Sequence, residues 1–91
     1  MFSETLTSEQ MEKLLTQLGY RLSPSKGPQR VFENPEYDAV MLLPPADKEK
    51  YARMEHLMTL RRIAIEKGIV DETTFERLLS EVQRKDESVA A

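Results

Sequence analysis

The segment from Leu18 to Pro45, LGYRLSPSKGPQRVFENPEYDAVMLLPP, leaves this chain few folds to adopt. Tyr20-Arg21-Leu22-Ser23 alternates apolar and polar residues, the pattern of a half-buried strand. Two prolines and a glycine in Pro24-Ser25-Lys26-Gly27-Pro28 cannot feed a hydrogen-bond ladder, so this stretch is a loop. A second strand follows from Gln29 to Glu33, around Val31 and Phe32. Asn34-Pro35-Glu36-Tyr37 is a turn, in which Pro35 presets φ. Asp38 to Leu43 is the third strand, and Pro44-Pro45 ends it. Parallel neighbours need a crossover of about a dozen residues or more, and neither connection is that long. The sheet is therefore an antiparallel meander.

Helices flank the meander on both sides. Thr7-Ser8-Glu9-Gln10 is a capping box, and Met11, Leu14, Leu15 and Leu18 follow as one apolar stripe. This predicts a helix over 8–18, stopped by Gly19 in the left-handed conformation. Asp47 is placed to cap a second helix running to about Lys67, with Gly68 as its stop. Tyr51, Met54, Leu57, Met58, Leu60, Ala64 and Ile65 make its apolar surface broad, which suits a helix lying between the sheet and another helix. Asp71 caps a third helix, with Val70 and Phe75 at staple positions and Phe75, Leu78, Leu79 and Val82 as its stripe. That helix is expected from Glu72 to about Arg84, before a charged, fraying tail over 85–91. The expected fold is α+β in the order α-β-β-β-α-α: one domain over 1–84, its helices on one face of the sheet.

Composition narrows the function classes. At 91 residues the chain can build one core of modest margin, about 5 kcal/mol. It has no cysteine, so disulfides, thiolate zinc sites and iron–sulfur clusters are excluded. No apolar run reaches the roughly 20 residues that span a bilayer, and Met1-Phe2-Ser3-Glu4-Thr5 lacks the form of a secretory signal. A cytoplasmic chain without a membrane partner is the expectation. The formal charge of −3 is divided unevenly: residues 1–20 and 68–91 are acidic, and 21–67 mildly basic. Phosphate neutralisation supplies most nucleic-acid affinity, and the basic footprint it needs is weak here.

Catalytic constellations are sparse. The single histidine, His56, has Ala52, Arg53, Thr59 and Leu60 at the helical positions where an orienting carboxylate would sit. No second histidine or cysteine exists to complete a metal site with it. The three glycines form no phosphate loop, and no cofactor is expected. Strand three is apolar on both faces: Val40 and Leu42 point one way, Ala39, Met41 and Leu43 the other. Either it is covered on both faces, or one face is a contact surface.

The order of elements resembles the HicA-type mRNA interferase toxins, which share the double-stranded-RNA-binding-domain fold. The matching residues are Leu14-Leu15, Gly19-Tyr20-Arg21-Leu22, Lys26-Gly27, Phe32, Asn34-Pro35, Val40 and Pro44, then Leu60-Arg61-Arg62-Ile63-Ala64-Ile65-Glu66-Lys67-Gly68-Ile69. They cover about residues 10–69. The family's Lys-Gly-Ser-His run puts a catalytic histidine just after the glycine, where this chain reads Lys26-Gly27-Pro28-Gln29-Arg30. Gln29 cannot exchange a proton near neutral pH. The chain also departs from the family in an insertion around 46–56 and in the third helix.

The resemblance thus implies a fold without the family's cleavage chemistry. The expected function is a non-catalytic binding or regulatory module working through protein–protein contact. Candidate contact residues are Met41 and Leu43 with Arg21, and Arg30 if it shares their surface; strand three could also join two copies. The first alternative is RNA binding without cleavage through Lys26, Gln29, Arg30, Arg61 and Arg62. The second is a divergent ribonuclease with His56 as its displaced catalytic group.

Overall fold

The structure, a computed structural model, describes residues 6–24, 27–45 and 50–90. Its elements are α1 (Ser8–Gln17), β1 (Arg21–Ser23), β2 (Arg30–Asn34), a 3-10 turn (Pro35–Tyr37), β3 (Ala39–Leu43), α2 (Met54–Glu66) and α3 (Glu72–Ala90). The fold is α+β, with three helices and one antiparallel sheet in the order β1-β2-β3.

The capping box forms as the sequence predicts. The Thr7 hydroxyl accepts from the Gln10 amide at 3.1 Å, and the Gln10 side-chain oxygen accepts from the Thr7 amide at 2.9 Å. At the other end of α1 the Gly19 amide donates to the Thr16 carbonyl and the Tyr20 amide to the Leu15 carbonyl. That pair is a Schellman closure, and Gly19 takes φ +97° to make it. Gly68 closes α2 in the same way, its amide donating to Ile65 and that of Ile69 to Ala64. Asp71 caps α3, accepting from the Thr74 amide at 2.7 Å.

Two helix boundaries differ from expectation. Asp47 lies outside the described residues, and α2 begins only at Met54, so Tyr51 is not helical. The backbone there has another partner: the Ser8 amide donates to the Lys50 carbonyl at 3.0 Å, and the Ala52 amide to the Leu6 carbonyl at 2.7 Å. A helix through Lys50 and Ala52 would need those same groups for its own ladder. At the far end α3 continues past Arg84 to Ala90, where fraying was expected.

Sheet register decides what each strand shows to the helices. Leu22, Phe32 and Met41 are cross-strand neighbours on one face; Arg21, Glu33 and Val40, then Ser23, Val31 and Leu42, form rows on the other. Phe32, Ala39, Met41 and Leu43 join Leu14, Leu15, Leu57, Leu60, Phe75, Leu79 and Val82 in one core. The helices therefore cover one face of the sheet. α1 packs on α3, α3 also on α2, and α2 lies over β3. Leu22 is on the helix side yet 59% exposed, because it sits on an edge strand at the margin of the helical cover. The apolar residue of that segment that does enter the core is Tyr20.

Candidate protein-contact surface

The register settles which half of strand three is available, and it is not the half expected. Met41 and Leu43 are 4% and 3% exposed, sealed beneath the helices, so neither can meet a partner in the folded chain. Their neighbours Val40 and Leu42 are 52% and 54% exposed. With half-buried Val31 beside Leu42, they form an apolar strip on the uncovered face, along the β3 edge. The β1 side of that face is polar: Arg21 is exposed there, directly across from Glu33. Of the expected contact residues, Arg21 alone lies on the open face.

Strand parity made these residues hard to choose from sequence, since both rows of β3 are apolar. One signal could have found them. A turn over Pro35–Asp38 sets Asn34 against Ala39, which counts back to Phe32 against Met41. Phe32 is the large aromatic of β2 and belongs in the core, and Met41 must follow it inward.

The expected phosphate-binding set is divided by the structure. Arg30 is buried: its Nε donates to the Pro44 carbonyl at 2.8 Å, and its guanidinium pairs with the Glu12 carboxylate. It ties α1 to the end of the sheet and points away from the open face. Arg61 is half-buried and pairs with Glu72 at 2.8 Å, with Glu76 at 3.7 Å. Its charge joins α2 to α3. Arg62 and Gln29 are exposed; Lys26 lies outside the described residues. The described members of the set thus divide between the start of β2 and α2, two of the arginines already bound within the fold.

His56 is half-buried on α2, and its Nδ1 has no hydrogen-bond partner among the described residues. In a triad-type arrangement that nitrogen would donate to an orienting acceptor. The Tyr20 hydroxyl is also buried without a partner among the described residues, and burial pushes its phenol above the ordinary value. Among the described residues, no group of three His, Asp or Glu could hold a metal ion, and no helix is long and apolar enough to cross a membrane.

A second exposed apolar stripe runs along α2. Met54 and Met58 are exposed, and Ile65 is half-buried. Met58, Arg61, Arg62 and Ile65 line a depression of about 440 Å³. All its walls come from this one helix, so it is a helix face more than a pocket. The broad apolar surface of α2 is thus only partly used: Leu57, Leu60 and Ala64 enter the core, and the methionines do not.

Among the described residues, exposed apolar side chains thus group into a strand-shaped strip on β3 and a helical stripe on α2. No protein-family model, curated protein or solved structure matches this chain.

Proposed function

We propose that this chain is a non-catalytic binding module that makes its protein contact through the open face of the sheet, at Val31, Val40 and Leu42, with Arg21 at the border. Its scaffold is of the HicA-type, double-stranded-RNA-binding-domain kind, a reading supported by the helix, meander, helix order. One observation carries the functional proposal: β3 turns Ala39, Met41 and Leu43 into the core while Val40 and Leu42 stay more than half exposed. Apolar side chains grouped at a sheet edge gain free energy when a partner covers them, at roughly 25 cal/mol per Å² removed from water. Two features support the absence of catalysis. Gln29 stands where the resembled family has its histidine, and the His56 Nδ1 has no hydrogen-bond partner among the described residues.

Capture on the immobilised full chain tests this reading. Native lysate, which supplies the endogenous chain among other proteins, is passed over it with and without ribonuclease. Protein is expected to be retained equally in both arms. Retained RNA, with protein lost after ribonuclease and binding that falls steeply with salt, would contradict the proposal and favour RNA binding.

A further inference from the structure

We infer that the partner for β3 is the β3 strand of a second copy, paired antiparallel about a two-fold axis at Met41 to make one six-stranded sheet. This rests on the protein-contact reading and specifies its partner. The two sheet edges are not alike. β1 has three residues, carries Arg21 and runs into Pro24. Shortness, charge and proline are the devices that keep edges from pairing. β3 has five residues, AVMLL, with no charge, proline or glycine among them; Pro44 follows it as Pro24 follows β1, so length and lack of charge are what set this edge apart.

The sequence of β3 is complementary to itself. With the axis at Met41, Val40 of each copy faces Leu42 of the other, twice across the seam, while Ala39 and Leu43 keep their side chains in their own cores. Apolar cross-strand pairs of this kind are the unit of sheet stabilisation. The charges on the open face also fit. Each row that crosses the seam reads Arg21, Glu33, Val40 in one copy, then Leu42, Val31, Ser23 in the other. Both acidic groups stand back from the seam, each already across from an arginine. The two Glu33 residues fall in different rows, three strands apart. At about 4.8 Å per strand that exceeds the screening length of about 8 Å. Within these described rows no like charges meet.

Area favours a strand over a globular surface as the occupant. A stable interface takes about 800 Å² from each partner, far more than this strip of three side chains supplies. Backbone pairing has to provide the rest, and β3 is the strand of matching length and pattern that the molecule itself supplies. A seam of five residues also makes the dimer weak and dependent on concentration.

Sedimentation of the purified full chain, from micromolar to millimolar, tests the inference. The wild type is expected to pass from monomer to twice the monomer mass. Val40→Lys/Leu42→Lys puts like charges across the seam and is expected to weaken association by roughly tenfold or more. Val40→Lys/Leu42→Glu puts opposite charges there and is expected to recover most of that loss. These positions are exposed, and circular dichroism melts verify that each variant folds. A wild type that stays monomeric throughout overturns the inference, as does a dimer indifferent to the Lys/Lys variant. Failure of the Lys/Glu variant to recover overturns the two-fold register. If the chain is monomeric but protein capture still requires Val40 and Leu42, the second copy is ruled out and the contact reading stands.

Discussion

Gly19 and Asn34 show how closely single residues hold the frame of this molecule. Gly19 has φ +97°, and a Cβ built there would lie 3.1 Å from the Asn34 Nδ2. That nitrogen donates to the Leu18 carbonyl at 3.0 Å inside the protein, fastening the end of β2 to the end of α1. Gly68 closes α2 with φ +75° and has open space around its Cβ position. The two glycines looked equivalent in the sequence, because each only marks a helix stop. The structure separates them. Gly68→Ala carries the backbone strain alone, about 1 kcal/mol. Gly19→Ala adds displacement of a buried, hydrogen-bonded amide, worth about another 1 kcal/mol or more. Denaturant unfolding of the two variants is expected to rank Gly19→Ala as the more destabilised. Equal losses would mean that the Asn34 contact does not matter. Arg30 teaches a similar lesson: an arginine in a loop-flanking strand reads as a surface cation, yet its fork is used inward on Pro44 and Glu12.

At the scale of elements, helix ends were the most legible part of the sequence, because a cap is a local arrangement of few residues. The Thr7 box, the two glycine stops and the Asp71 cap all appear where the residues call for them. The start of α2 was not legible, because its backbone competes with a tertiary bridge between Leu6–Ser8 and Lys50–Ala52. Nothing local announces such a bridge. The Asp71 cap also makes a prediction in pH. Hydrogen bonding to Thr74 holds the Asp71 carboxyl below its usual range. A native value below the unfolded value means that the ionised carboxylate favours folding. This contribution is complete above the ordinary carboxylate pKa of about 4 and is lost as pH falls through the lower native value. Asp71→Asn keeps a good cap and removes the titration. Thermal melts at falling pH are expected to show a shallower acid decline for Asp71→Asn than for the wild type. Parallel declines would contradict the role of Asp71.

For the whole molecule, the layer arrangement followed from the meander and the amphipathic helices, and the working face did not. Both rows of β3 are apolar, so composition could not say which one the helices cover. The answer required register across three strands, which placed Met41 with Phe32 and left Val40 and Leu42 outside. The candidate site changed accordingly, from Met41 and Leu43 to the residues between and beside them. Two exposed apolar surfaces then compete as contact sites: the β3 strip and the Met54–Met58 stripe of α2. The most direct measurement is capture of protein by ribonuclease-treated wild-type, Leu42→Glu and Met58→Glu chains, each folded by its melt. Loss of capture in Leu42→Glu with retention in Met58→Glu is the predicted result. Retention in Leu42→Glu with loss in Met58→Glu would contradict the account and move the contact surface to α2.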